Sequence, residues 1–184
     1  MLKTGRLKLI PLELNQLIQY RALDDALEKE LEINIMKRTI TEELKNTIEQ
    51  YLIPYLHVNP SHLLFATIWV IIHREENVFV GDIGFNAAPS EKGVIEVGYS
   101  TYEGFENNGF MTEALSAMCQ WAFGHDKVKS IIAQTAKDNF ASQRVLTNNA
   151  FEIFADVPDY YWWRLDNENY SILGRFTGGT ILFR

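Results

Sequence analysis

A strand-like run that opens through a glycine-bearing loop into an apolar-striped helix, and then a second unit of the same kind, constrain this chain more than any other feature. Val94 to Thr101 has strand character and contains Glu96-Val97-Gly98-Tyr99-Ser100. It is followed by Glu106-Asn107-Asn108-Gly109-Phe110-Met111-Thr112-Glu113-Ala114, which starts a helix over 111–123 with Met111, Leu115, Met118 and Ala122 on one face. Further on, Ser130 to Thr135 leads through Asp138-Asn139-Phe140-Ala141-Ser142 into another helix, with Ala141, Val145 and Leu146 expected inward. Strands that both open into helices at one end gather backbone N–H groups and positive helix ends around one crevice, where a diphosphate can sit.

The chain ahead of these units has a different rhythm. Arg6-Leu7-Lys8-Leu9-Ile10-Pro11 alternates basic and apolar residues, as a short strand does. Leu14 to Leu31 approximates helical spacing through Leu14, Leu17, Ile18, Ala22 and Leu27, and its acidic residues, Asp24 to Glu32, read as a solvated face. Thr41 is a candidate N-cap for a helix striped by Leu44, Ile48, Tyr51, Leu52 and Tyr55. Leu63 to His73 and Val78 to Phe85 are predicted strands joined by a hairpin loop at Arg74-Glu75-Glu76-Asn77. Phe151 to Val157, Tyr160 to Leu165 and Tyr170 to Phe176 complete the pattern. No linker, repeat or low-complexity tract interrupts it, so the expectation is one domain over 1–184: a mixed α/β sheet, antiparallel first, with a parallel pair near its middle and helices on both faces.

Composition narrows the function. The chain has 184 residues, a net charge of −7 and no Lys/Arg cluster, which argues against a nucleic-acid partner. One cysteine, Cys119, rules out an intramolecular disulfide framework. The apolar run at 63–72 is too short to span a membrane, and Met1-Leu2-Lys3-Thr4-Gly5 is no signal peptide, so a cytoplasmic protein without a membrane partner is expected. His57, His62, His73 and His125 lack metal-ligand spacing, and no metal is expected. Cys119, Trp69, Tyr102, Phe105, Trp162 and Trp163 read as core or pocket wall. The loop at Gly109 has no Gly-Lys-Ser/Thr triplet and lacks the second and third glycines of a dinucleotide fingerprint, which excludes a Walker loop and a dinucleotide site.

Glu96-Val97-Gly98-Tyr99-Ser100 with Asn108-Gly109-Phe110-Met111-Thr112-Glu113-Ala114 resembles the acetyl-coenzyme A signature of the GNAT N-acetyltransferases. Lys137-Asp138-Asn139-Phe140-Ala141-Ser142, leading to Asn148-Asn149-Ala150-Phe151-Glu152, resembles that family's second signature. Arg6 to Leu12 and Tyr161-Trp162-Trp163-Arg164-Leu165 are similar to the two ends of its ribosomal-protein N-terminal (RimJ/RimL-type) branch; the tail 177–184 exceeds what the resemblance covers. The resemblance implies a GNAT fold, acetyl-coenzyme A as cosubstrate, and direct attack by a primary amine in a ternary complex. The acceptor it implies is a protein N-terminal α-amine; a polyamine, aminoglycoside or amino-acid amine is the alternative, and a non-catalytic acyl-coenzyme A-binding module is the rival from another class. The chain itself is expected to be a monomer or homodimer. The loop departs from the family pattern where Glu106 replaces a basic residue and Met111 a small one.

The resemblance assigns coenzyme contacts to Val97, Gly98, Tyr99, Ser100, Asn107, Asn108, Gly109, Phe110, Met111, Thr112, Asn139 and Ser142. The N–H near Tyr99 would polarise the thioester carbonyl, and an extended pantetheine arm can pair with 97–99 as an added strand would. Gly98 fits such an approach or plain packing equally well. Ser142 would assist the leaving sulfur, or merely cap its helix. Attack needs a neutral amine: an α-amino group of pKa about 7.8 is partly neutral at pH 7.4, whereas a lysine at about 10.4 needs roughly 4 kcal/mol to lose its proton. One carboxylate acting through water therefore suffices. Glu96 is either that base or an ordinary exposed strand glutamate; alternation sets it with Gly98 and Ser100 on one face, opposite Ile95, Val97 and Tyr99.

Overall fold

The computed structural model describes residues 1–168 and 170. Eight strands form one sheet: β1 (Leu2–Lys3), β2 (Leu7–Pro11), β3 (Ile68–His73), β4 (Val78–Phe85), β5 (Val94–Thr101), β6 (Ser130–Ala136), β7 (Glu152–Asp156) and β8 (Tyr160–Asp166), in the order β1-β2-β3-β4-β5-β6-β8-β7. Every pairing is antiparallel except β5 with β6. The mixed sheet with its central parallel pair is thus present as expected. The expected run over 170–176 falls outside the described residues apart from Tyr170, and the tail 177–184 falls wholly outside them.

The helices divide between the faces. On one side α1 (Leu14–Ala22), α2 (Ala26–Glu30), α3 (Glu42–Thr47) and α4 (Ile53–Val58) cover a cluster built on Leu17, Tyr20, Leu27, Ile48, Leu56, Val70, Ile72 and Phe79. On the other, α5 (Phe110–Phe123) and α6 (Phe140–Asn148) cover Leu7, Leu9, Trp69, Ile71, Val80 and Ile83 with Leu115, Met118 and Leu146. β3 is apolar on both faces because it serves both cores, Trp69 and Ile71 on one and Ile68, Val70 and Ile72 on the other.

Several local readings change. In the acidic run expected to be a solvated face, Glu28 is buried, because it pairs with Arg38 at 2.8 Å. The single helix expected over 14–31 is two, because Leu23 and Asp25 adopt positive φ of 57° and 62°, which breaks the helical path. The segment from Pro60 to Phe65 is a 3-10 turn and not the start of a strand; Pro60 starts it, and β3 begins only at Ile68. Between α3 and α4 runs a π-helical turn, Ile48–Leu52, which lengthens the local period, so Ile48, Leu52 and Leu56 are buried and the expected stripe residue Tyr51 is 68% exposed. Ala141 is exposed where it was expected inward, since α6 packs through Leu146 and Val145. Thr41 is an N-cap, its hydroxyl accepting from the Leu44 N–H at 3.1 Å.

Close backbone approach requires glycine at Gly84, on β4 opposite Gly98: a Cβ there would lie 2.6 Å from the Thr67 carbonyl oxygen. Since that neighbour is main chain, Gly84→Ala is expected to lower the unfolding free energy by about 1–3 kcal/mol. Denaturant titration of wild type and variant checks this, and equal midpoints would contradict the tight approach.

Candidate active site

The feature that opens a site is where the ladders stop. β5 pairs with β6 only through Val94↔Ser130, Ile95↔Ile131 and Glu96↔Ile132. Beyond that point β5 stays with β4 as far as Gly81↔Thr101, and β6 stays with β8 as far as Ala136↔Tyr160. The two central strands part, and 97–101 faces a gap.

The hydrogen-bond phase decides what faces that gap. Asn86 N–H donates to the Glu96 carbonyl and Tyr102 N–H to the Val80 carbonyl, both at 3.0 Å. In an antiparallel ladder the bonded residues alternate, so 96, 98, 100 and 102 bond β4. The Val97 N–H closes the last rung with β6, and beyond it the Val97 C=O and the N–H and C=O groups of Tyr99 and Thr101 point into the gap. An extended amide chain could pair there as a strand does.

Side chains sort by face. Ile95 and Val97 are buried under α5 and α6, with Tyr99 half-buried beside them. Glu96 is half-buried and Gly98 and Ser100 are exposed on the α1–α4 face. A Cβ built on Gly98 meets nothing within 4 Å, so the protein itself does not require glycine there; the surface is open. Tyr99 reaches across the gap and donates its hydroxyl to the Ser142 carbonyl at 3.2 Å. Burial pushes that phenol up to about 12, which keeps it a neutral donor.

Ser142 sits in the first turn of α6, whose N-cap is Asn139: the Asn139 side-chain oxygen Oδ1 accepts the Ser142 N–H at 3.0 Å. Tyr99 and Ser142 are thus brought together, and Glu96 stands on the opposite face of the same gap. Asn139 is exposed at its rim.

The second arm of the site is the start of α5. Gly109 is its N-cap with φ of 74°, a left-handed conformation that glycine adopts without strain, and no side chain caps the helix. The first intrahelical bond is Glu113 N–H to the Gly109 carbonyl, so the preceding N–H groups are not used in the helix. Asn107, Asn108 and Gly109 are exposed and Thr112 is half-buried, but the Phe110 and Met111 side chains are buried. Of those two expected coenzyme contacts only the main-chain N–H groups can serve, because both side chains belong to the core.

The charge of this loop is not where the motif suggested. Glu106 turns back to accept the Gly104 N–H at 2.7 Å. The cation comes instead from Arg6, ahead of β2. Its guanidinium donates to Glu113 at 2.7 Å and to the Asn108 carbonyl at 2.9 Å, and lies 4.7 Å from the centre of the Phe110 ring. A Cβ on Gly109 would lie 3.6 Å from Arg6 Nη2. Arg6 was legible only as an alternating strand residue; nothing local to it signals a helix start a hundred residues away. Burial raises the Glu113 carboxyl, but hydrogen bonds from Thr4 and Arg6 outweigh it and hold the group below its ordinary range.

Among the described residues no group of three or more His, Cys, Asp or Glu could hold a metal ion, and no helix is long and apolar enough to cross a membrane.

An antiparallel sheet parted at its one parallel pair, with two helices opening beside the gap, is the architecture of the N-acetyltransferase fold class. A profile described as an acetyltransferase (GNAT) domain matches residues 6–152, and this chain belongs to that family. The uncharacterized N-acetyltransferase YjdG of Bacillus subtilis (strain 168) is 30% identical over 95 residues, 52% of this chain and 56% of the relative. The chain spans about half the length of the curated relatives it matches. Among solved structures, a GNAT-family acetyltransferase from Bacillus anthracis superposes with a TM-score of 0.62 at 22% identity, covering 91% of this chain and 99% of that one. RimL, a ribosomal L7/L12 alpha-N-protein acetyltransferase solved with coenzyme A, gives 0.64 at 18% identity over 90% and 97% of the two chains. These structural likenesses speak for the fold.

Cys119 lies in the α5 core and burial raises its thiol above the ordinary range. Folded protein is expected to resist thiol reagents at pH 8 and to react once unfolded. A titration with a chromogenic disulfide checks this, and rapid labelling of the native state would contradict the burial.

Proposed function

We propose that this chain transfers an acetyl group from acetyl-coenzyme A to a primary amine by direct attack, both substrates being bound together. The observation that carries this reading is the gap beside the end of β5, where the Val97 C=O and the N–H and C=O groups of Tyr99 and Thr101 lie beyond the ladder and suit an extended pantetheine arm, with the uncapped start of α5 beside it for the diphosphate. RimL was solved with coenzyme A, and so, with AMP and acetyl-coenzyme A, was the microcin C7 self-immunity acetyltransferase. Family membership and these neighbours support the same cosubstrate here.

In this reading the thioester lies along β5, its carbonyl oxygen receiving the Tyr99 N–H as charge develops. The amine arrives from the α1–α4 face, where Gly98 and Ser100 leave the surface open. Glu96 takes the amine's proton through water; its half-buried place on that face favours this over a purely solvated role. The N–C bond forms, the C–S bond breaks, and the Ser142 hydroxyl supplies a proton to the departing thiolate and recovers one from solvent. Asn139 both caps α6 and offers its amide to the pantetheine arm. Main-chain N–H groups from Asn108 to Thr112 receive the diphosphate, with Asn107 at the loop edge. Arg6, 47% exposed at its side chain, supplies the positive charge that Glu106 cannot. A protein N-terminal α-amine is the leading acceptor, because RimL and the ribosomal-protein-S5-alanine acetyltransferase of Vibrio fischeri share the fold. The protein acts as a single acetyltransferase domain in the cytoplasm.

Free thiol release from acetyl-coenzyme A, measured with a panel of peptide and small amines and read out by mass spectrometry of the products, tests the activity. Coenzyme binding without any acetylated product would favour a non-catalytic acyl-coenzyme A-binding module. Ser142→Ala is expected to lower kcat at least tenfold with the coenzyme Kd within twofold, and unchanged turnover removes Ser142 from the reaction. Gly109→Val and Arg6→Gln are each expected to weaken coenzyme binding about tenfold, the first by strain at a positive φ and crowding, the second by loss of charge. Calorimetric Kd values equal to wild type would refute the α5 start as the diphosphate site.

A further inference from the structure

The face of the sheet that carries Glu96, Gly98 and Ser100 also carries Asp82, directly across the β4–β5 ladder from Ser100. Its carboxylate is 6% exposed and accepts a hydrogen bond from the Tyr20 hydroxyl of α1 at 2.9 Å. That hydroxyl lies 2.9 Å from the Tyr102 hydroxyl. Behind Tyr20, the Arg38 guanidinium stands 4.6 Å from the ring centre and donates to the Tyr20 carbonyl at 3.0 Å. Arg38 is paired with Glu28 at 2.8 Å, both side chains being 2% exposed.

The charges do not cancel. Glu28 neutralises Arg38, and Asp82 is left as one negative charge beneath the open surface. The ionisable groups that face it from the elements packed against it are Tyr20, Tyr102 and Arg38. Both phenols are raised well above their ordinary range, first by burial and then by Asp82 itself, so they act as neutral donors. Burial pushes Asp82 up to about 6 against the hydrogen bonds of the two tyrosines and the attraction of Arg38.

Holding α1 to the sheet does not require this. An asparagine would accept the same hydroxyls without the cost of a buried charge. A carboxylate kept where it opposes stability, one ladder position from an exposed serine on the acceptor face, points to a use for its charge.

We propose that Asp82 is a positioning residue of the acceptor side: held by Tyr20 and Tyr102, it sets one negative charge beneath the Gly98–Ser100 surface and so draws the amine to the gap in its cationic form. The inference rests on the amine-transfer reading and adds the charge of the substrate class. No bond is made or broken in this step; the ammonium is attracted first and loses its proton afterwards.

At a separation of roughly 8–10 Å, partly screened, one charge changes the local concentration of a monocation about three- to tenfold. The test uses the full chain, Asp82→Asn, and two probes: a neutral-side-chain tetrapeptide amide with a free α-amine, and spermidine. KM for the peptide is expected to rise three- to tenfold and for spermidine more, while kcat and the KM for acetyl-coenzyme A stay within twofold. Both proteins keep the acid limb set by the amine's own deprotonation, but the wild type is expected to lose a further three- to tenfold in kcat/KM as pH falls through about 6, a component absent from the variant. The linkage has a definite sign: the folded carboxyl keeps its proton to about pH 6, the unfolded one only to about its ordinary 3.8. Stability of the wild type relative to the variant therefore falls as pH rises between those values. Independently of any variant, the wild-type KM for both amines should rise between 20 and 500 mM salt, by about the same three- to tenfold.

A folded Asp82→Asn protein with unshifted amine KM and a pH profile that superposes on the wild type's would overturn the inference and leave the network purely structural, as would a wild-type amine KM indifferent to salt. Those outcomes leave the acetyl-transfer reading standing. Failure of the wild type to acetylate either amine would instead sink that reading, and this inference with it.

Discussion

The short parallel ladder between β5 and β6 is the constraint on which the rest depends. Three register pairs join them, and then each strand follows its other neighbour, β5 with β4 and β6 with β8. Backbone groups turned into the resulting gap would be an unsatisfied liability in an ordinary core. Here they open onto solvent between α5 and α6 on one side and the α1–α4 layer on the other, so that a ligand with amides of its own can complete them. The hydrogen bond from the Tyr99 hydroxyl to the Ser142 carbonyl ties the walls of the gap together.

Around that gap the two faces divide the chemistry. The α5–α6 face brings an uncapped helix start and the Ser142 turn; the α1–α4 face brings Glu96 and the open Gly98–Ser100 surface, with Asp82 beneath. Two substrates can meet through the sheet without sharing a pocket, which is what a ternary mechanism requires. Arg6 shows how charge is redistributed in this chain. The loop carries Glu106 where its family carries a cation, yet a guanidinium arrives from ahead of β2, held by Glu113 and the Asn108 carbonyl. The same contact anchors the segment ahead of β2 to the start of α5.

Much of this was legible in the order of residues. Thr41 read as a cap because a short side-chain acceptor before an apolar-periodic run has few other uses, and it does cap, as Asn139 does at α6. Gly109 read as the glycine of a loop that opens a helix, and it is the N-cap of α5 with a positive φ. The misreadings have local causes. Tyr51 was phased on a regular helix that a π-helical turn interrupts, Leu63 and Leu64 looked like strand although Pro60 had begun a 3-10 turn, and Ala141 was given an inward place by spacing alone. Arg6 and Asp82 were not legible as site residues at all, since the partners that give them meaning lie about a hundred positions away in one case and about sixty in the other.

Hydrophobic periodicity, glycine placement and capping residues act over a few positions, and they determined by themselves the sequence of elements and which main-chain groups would be presented at their ends. Which edge of β5 stays unpaired, which cation stands at the start of α5, and which carboxylate lies under the acceptor surface depend on strand order and on helices folding over opposite faces. Those are consequences of burying two cores against one sheet, and only the tertiary structure could decide them.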